Sequence, residues 1–212
     1  METLDHEKQI QEILQAIERL KRQNEDSPIF HAEIAKLENK LEQLKEIVYS
    51  TLTPSERVQI CRNPKRPHSI DYIQNICEDF QELAGDRTFS DDRAIIGGLA
   101  TIGGMRCVIV GQEKGHDTAS RVAHNFGMPH PEGYRKALRL MELAAKFQLP
   151  FVSLIDTPGA YPGLEAEERG QGRAIAVNLM RMASLETPIF IVIIGEGCSG
   201  GALGIGVGDV VA

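Results

Sequence analysis

The chain has 212 residues, 42% of them hydrophobic and 25% charged, a composition that excludes a disordered or fibrous protein and calls for one or two packed domains. Its 23 basic and 30 acidic residues leave a net charge of −7, so the whole chain offers no electrostatic basis for binding nucleic acid or an acidic membrane. Residues 101–150 run against that balance, with seven basic residues to four acidic ones, a hint of an anionic ligand.

The N-terminus, Met1-Glu2-Thr3-Leu4-Asp5, has no basic start followed by an apolar core, so no targeting signal is expected and a cytosolic location is the default. The longest apolar run, Ile189 to Ile194, falls far short of the roughly 18 residues a membrane span needs. Cys61, Cys77, Cys107 and Cys198 are widely spaced with no Cys-x-x-Cys pair, so four reduced cysteines are expected, with neither a disulfide framework nor a zinc site.

Ile10, Ile13, Leu14, Ile17 and Leu20 form one apolar stripe on a helix from about residue 3 to 24. Asn24-Glu25-Asp26-Ser27-Pro28 breaks it, and Ile34, Leu37, Leu41, Leu44 and Val48 then follow the three-and-four spacing of a helix packed on another helix. An antiparallel hairpin results, with mixed charges on its solvated faces. Thr53-Pro54-Ser55-Glu56 is a capping box that opens a new helix, stopped by Asn63 to Pro67. Ser69 is the expected cap of a further helix in which Ile70, Ile73, Cys77, Phe80 and Leu83 share a face, ending near Gly85.

From residue 94 the period changes. Ala94–Ile102 and Met105–Gln112 are β-prone runs joined by Gly103-Gly104, which predicts a tight hairpin. Gly133–Gln148 has helical spacing, Phe151–Ile155 reads as a buried strand, Ile175, Leu179, Met182 and Leu185 mark another helix, and Ile189–Ile194 is a second strand. This strand–helix–strand unit should be parallel and right-handed. The glycine-rich stretches Asp156–Gly163 and Gly195–Gly201 then both leave the carboxyl edge of the sheet, where α/β proteins place ligands.

The second stretch fits three motifs. Gly195, Gly197 and Gly200 have dinucleotide spacing, G-x-G-x-x-G, but the fingerprint comes late in the chain and only Asp209 follows it as an acidic partner. Gly197-Cys198-Ser199-Gly200-Gly201 fits the G-x-S-x-G elbow of hydrolases, yet His130, the last histidine, precedes the serine, the reverse of the usual order. The third reading uses backbone alone: consecutive glycines at a helix start present N–H groups that no Cβ obstructs, suited to a developing oxyanion. The same glycines also allow close packing of helix on sheet. His116, Asp117, His124 and His130 contain no rigid short-range ligand pair, so no metal is expected.

Gly85-Asp86-Arg87, Ile96-Gly97-Gly98, Asn125-Phe126-Gly127-Met128-Pro129, Pro131-Glu132-Gly133-Tyr134-Arg135-Lys136-Ala137, Asp156–Gly163 and Gly195–Gly201 follow one another in this chain. In that succession it closely resembles the carboxyltransferase α subunit of the multi-subunit bacterial or plastid acetyl-CoA carboxylase. The resemblance implies a crotonase-like (ClpP/crotonase) α/β fold with a β-β-α spiral core, preceded by an N-terminal helical hairpin. The hairpin would take residues 1–50 and the carboxyltransferase domain 51–212, with the family's C-terminal third missing.

The implied reaction carries a carboxyl group from carboxybiotin to acetyl-CoA, giving malonyl-CoA, the first committed step of fatty acid synthesis. Gly200 and Gly201 would serve the biotin ureido oxygen, while Gly159, Ala160, Tyr161, Gly163, Gly197 and Ser199 would bind substrate. No metal and no tightly bound cofactor are implied; carboxybiotin on a partner carrier protein is a co-substrate. The implied partners are a β subunit in an α2β2 assembly, the biotin carboxyl carrier protein and acetyl-CoA, without nucleic acid or membrane, in the cytoplasm or, in a plant, the plastid stroma. Two features depart from the family pattern: Cys198 stands where relatives carry glycine, and His116 where they carry a basic residue. A non-catalytic truncated subunit or docking protein, and a serine hydrolase using Ser199, stay open as alternatives. Chelator-washed protein is expected to carry no stoichiometric zinc and to show no saturable NAD(H) binding; metal analysis and a cofactor titration check the two halves.

Overall fold

A computed structural model describes residues 7–22 and 28–212 and divides the chain into two compact units, Met1–Ile60 and Cys61–Ala212. In the first, α1 (Lys8–Arg22) and α2 (Pro28–Ser50) bury Ile10, Ile17 and Leu41 between them, with Ile13, Leu14, Ile34, Leu37, Leu44 and Val48 packed around these. Lys21 meets Glu38 at 2.9 Å at one end and the Tyr49 hydroxyl donates to Glu7 at 2.8 Å at the other, so the pair is antiparallel, as the short connection between the helices implies. Both bonds are exposed and add little; the apolar seam holds the hairpin. The expected break at Asn24 to Ser27 lies outside the described residues. The helix α3 (Pro54–Cys61) opens on the expected capping box: Glu56 N–H donates to Thr53 Oγ1 at 3.3 Å, and Thr53 N–H to the Glu56 carboxylate at 2.8 Å.

The second unit begins with α4 (Ser69–Ile76), and here two expectations need correction. Its cap is His68, whose N–H donates to the Asp71 carboxylate at 2.7 Å, whereas Ser69 is buried and donates to Gln112 O at 2.7 Å. The helix also stops at Ile76: Cys77 is extended (φ −91°, ψ 128°), and β1 (Asp79–Glu82) pairs antiparallel with Gly98–Thr101. Ile70, Ile73, Cys77 and Phe80 all reach one apolar cluster, so their spacing reports contact with the core while the neighbouring strand dictates the backbone.

The strands β2 (Ile95–Ile102) and β3 (Met105–Gln112) form the expected hairpin. Gly103 (φ +55°) and Gly104 (φ +77°) supply the left-handed pair that a two-residue type I′ turn requires. There follow α5 (Thr118–Ala123), α6 (Pro131–Lys146), β4 (Phe151–Thr157), α7 (Leu164–Glu168), α8 (Gln171–Met182), β5 (Ile189–Gly197), α9 (Ser199–Leu203) and β6 (Val210–Val211). The six strands lie in the order β1 to β6, antiparallel as far as β3 and parallel from β3 to β6.

Alternate residues divide between the faces. Ile95, Val108 and Val110 pack with Ala137, Leu140 and Met141 of α6, while Ile96 and Ile109 pack with Ile73 of α4. Burial on both faces explains the near-continuous apolar runs of β3 and β4. Because β3, β4 and β5 are parallel, Gln112, Thr157 and Gly197 end at one edge of the sheet. Among the described residues no helix is long and apolar enough to cross a membrane.

Candidate active site

At that edge the regular ladder breaks in a defined way. Phe151 pairs with Ile189 and Ile155 with Ile193, but Thr157 pairs with Gly197, so β5 bulges over residues 194–196. Asp156 bridges the gap by accepting Glu196 N–H on Oδ1 at 2.9 Å. Beyond it, the buried Thr157 hydroxyl donates to Gly127 O at 2.6 Å and accepts Gly159 N–H at 3.0 Å. Cys198 N–H donates to Thr157 O at 3.2 Å. The turns at 125–127, 158–163 and 197–201 are thereby rooted in one residue.

The last two turns touch through backbone. A Cβ on Gly201 would stand 2.5 Å from both Gly159 C and Ala160 N, a contact that only glycine permits. Gly200 is different: a Cβ there would meet Ile175 Cδ1 at 3.6 Å, ordinary packing. The first N–H of α9 to donate along the helix is that of Ala202, to Cys198 O at 3.1 Å. Helix geometry therefore leaves the N–H groups of Ser199, Gly200 and Gly201 without an intrahelical acceptor. Gly201 O in turn receives the buried Gln112 amide at 2.8 Å and the Tyr134 hydroxyl at 3.2 Å, and Gln112 Oε1 accepts Asp156 N–H at 3.1 Å. Burial raises the Tyr134 pKa well above its ordinary value, so its hydroxyl keeps the proton it donates.

The structure thus brings Gly159 and Ala160 against Gly201, with Gly197, Ser199 and Gly200 on the same turn. The Tyr161 ring stacks on His130 at 4.0 Å and Gly163 is the N-cap of α7. Ser199 has φ +55° and an exposed side chain, the backbone shape of a nucleophile elbow. The histidines of this unit are engaged with other partners. His68 lies against Glu113 (3.3 Å) and His116 against Asp71 (3.0 Å), while Nδ1 of His124 meets Ser120 O (2.7 Å) and that of His130 meets Asn125 (2.9 Å).

Gln112, Lys114, Tyr134, Asp156 and Thr157 received no individual role from the sequence, although the last three lie in motifs that carry the resemblance. One signal was present: Gln112 and Asp156 are polar residues closing apolar strand runs. Lys114 Nζ sits between Asp156 Oδ1 (2.6 Å) and Glu196 Oε2 (2.7 Å), and Arg62 Nε holds Glu196 Oε1 at 2.7 Å. Partial burial opposes ionisation of Glu196, but the bonds from Lys114 and Arg62 outweigh it and hold the carboxyl below its usual range. A depressed carboxylate stabilises the fold above its unfolded pKa and loses that contribution as pH falls through the folded value. Glu196→Gln is therefore expected to flatten the acid limb of stability, read as the urea midpoint from about pH 7 to about pH 3. An unchanged acid limb in the variant would refute this.

Residues 3–212 match the family described as acetyl co-enzyme A carboxylase carboxyltransferase-like. The chain is 65% identical over 211 residues to the acetyl-coenzyme A carboxylase carboxyl transferase subunit alpha of Protochlamydia amoebophila, covering 100% of this chain and 67% of that one. To the same subunit of Chlamydia caviae it is 61% identical over 213 residues, covering 100% and 66%. The chain thus spans about two thirds of the length of these curated relatives. In fold it is similar to a transcarboxylase 12S structure (TM-score 0.58, 22% identity, 69% of this chain and 28% of that one). It is also similar to a single-chain, multi-domain long-chain acyl-CoA carboxylase (TM-score 0.57, 24% identity, 69% and 14%). The α/β core is crotonase-like.

Proposed function

Because the chain belongs to the acetyl-CoA carboxylase carboxyltransferase family, we propose that it works as the α part of an enzyme that carboxylates acetyl-CoA to malonyl-CoA. The observation that carries this reading is the backbone contact between the 159–160 turn and Gly201, beside helix-start N–H groups that have no intrahelical acceptor. Carboxybiotin, delivered on a carrier protein, supplies the carboxyl group as CO2 and, once decarboxylated, the base for the acetyl methyl proton. The N–H groups of Gly200 and Gly201 stabilise the negative charge on the ureido oxygen. A preorganised donor of this kind is typically worth about 2.7–4 kcal/mol. Gly159 and Ala160 line the approach, Gly197 and Ser199 shape the turn, and no side-chain nucleophile is required.

The thioester oxygen carries a second developing charge, and its donors belong to a β partner in a cytoplasmic α2β2 assembly. The test is malonyl-CoA decarboxylation in the presence of biocytin. Turnover is expected when a β subunit is added to the α chain in a length matching its relatives, and none from the α chain alone. Robust turnover without the partner would refute the division of labour.

A further inference from the structure

We propose that His130, a neutral imidazole held between the Asn125 amide and the Tyr161 ring, is a positioning residue that keeps the 158–163 turn against Gly201. This role rests on the reaction proposed above, because that turn packs beside the helix-start N–H groups. His130 is the N-cap of α6, yet its side chain makes no cap bond. Ser, Thr, Asp or Asn would serve the helix start better, so the imidazole answers to something else.

The turn has an inner and an outer anchor. On the inner side Thr157 Oγ1 accepts Gly159 N–H at 3.0 Å. On the outer side Tyr161 N–H donates to Pro129 O at 3.0 Å, and the buried Gln171 amide joins the same two residues, donating to Pro129 O at 2.8 Å and to Tyr161 O at 3.0 Å. Gly159 and Ala160, the residues in backbone contact with Gly201, lie between the two anchors. Tyr161 is the only aromatic residue of the turn, and its ring stacks on His130 with centroids 4.0 Å apart and 26° between the planes. The Tyr161 hydroxyl donates to Glu165 of α7, so the ring is held at its far end as well.

The hydrogen bonds around His130 assign its proton. Its main-chain N–H donates to Asp92 Oδ2 at 2.7 Å, and Nδ1 faces the side-chain nitrogen of Asn125 at 2.9 Å. The same nitrogen lies 3.3 Å from Asp92 Oδ1, an acceptor, which identifies this end of the amide as the NH2 group. An amide nitrogen only donates, so Nδ1 accepts and the imidazole carries its single proton on Nε2. A proton on Nδ1 would set two donors against one another. Asn125 therefore selects one tautomer and one ring plane, and with them the surface on which Tyr161 stacks.

Amide hydrogen exchange reads the turn without turnover. His130→Asn keeps an acceptor for Asn125 and a residue suited to the helix start but removes the ring. In the full 212-residue chain it is expected to speed exchange of the Tyr161 N–H at least about tenfold, with the β2–β3 amides unchanged. His130→Phe, which restores a flat ring, should return most of the protection. Tyr161→Leu, read at the Gly159 N–H, serves as the second stack variant if thermal melting shows His130→Asn unfolded. In the enzyme assembled with a β subunit, His130→Asn should lower kcat at least about tenfold with KM little altered, and His130→Phe should recover most of it. His130→Asn and Tyr161→Leu together should lose no more than either alone, since each removes one side of the same stack. An unaltered assembly without turnover would refute the reaction, while the exchange measurement would still decide whether His130 holds the turn. Unchanged exchange in the folded stack variants, unchanged kcat in His130→Asn, or losses that simply add in the double variant would overturn the proposal.

Discussion

Gly200→Ala in the partner-bound enzyme is expected to lower kcat by about 10²-fold, the scale for losing one preorganised oxyanion donor, while the protein stays folded. A methyl at Gly200 meets Ile175 Cδ1 at an ordinary 3.6 Å, so the helix start tolerates it; the backbone N–H is retained, and the expected loss is that of a side chain crowding the oxyanion's approach to it. Gly201→Val should lower kcat by at least as much, but for a compound reason. Its Cβ would drive into Gly159 C and Ala160 N at 2.5 Å and separate the two turns, an overpacking that typically costs about 1–3 kcal/mol. Ser199→Ala should leave kcat within a few-fold, because the reaction uses no hydroxyl nucleophile. A hydrolase elbow predicts the reverse, with Ser199→Ala the lethal change. Near-normal turnover in folded Gly200→Ala and Gly201→Val enzymes, or abolished turnover in Ser199→Ala with unchanged assembly, would sink the oxyanion assignment.

The second large effect is expected at Gln112. This side chain is fully buried and does two jobs, donating to Gly201 O at 2.8 Å and accepting Asp156 N–H at 3.1 Å. Gln112→Leu keeps the approximate volume and removes both bonds. Gly201 O retains the Tyr134 hydroxyl, whereas Asp156 N–H loses this acceptor, and an unsatisfied buried group costs about 1–3 kcal/mol. The urea midpoint should fall accordingly with the slope unchanged. Because Gly201 loses the amide that fixes its carbonyl, kcat should also fall by at least about tenfold with KM little altered, the pattern of a group that positions the transition-state donors. Gln112→Glu should do worse, since it buries a second carboxylate beside Asp156 and turns a donor toward Gly201 O into an acceptor. Unchanged stability and turnover in Gln112→Leu would refute this role.

The elements whose information is local were legible in the amino-acid sequence. The apolar stripes of α1 and α2, the Thr53–Glu56 capping box and the Gly103-Gly104 turn each depend on residues a few positions apart, and the parallel pair β4 and β5 follows from the strand–helix–strand order between residues 151 and 197. The two glycine-rich turns were legible at the same edge for the same reason, since a strand followed by a helix and a parallel strand leaves few topologies. Where the backbone's partner lies far along the chain, local reasoning ran out. Residues 79–82 carry helical spacing and still form β1, because the unpaired edge of β2 offers a ladder that no neighbour in sequence announces. Gln112 reaches Gly201 across 89 positions, and Arg62 reaches Glu196 across 134. Periodicity records which face of an element is apolar; which buried polar groups meet, and which glycine must be bare because another backbone passes it, is decided only when the turns close on one another.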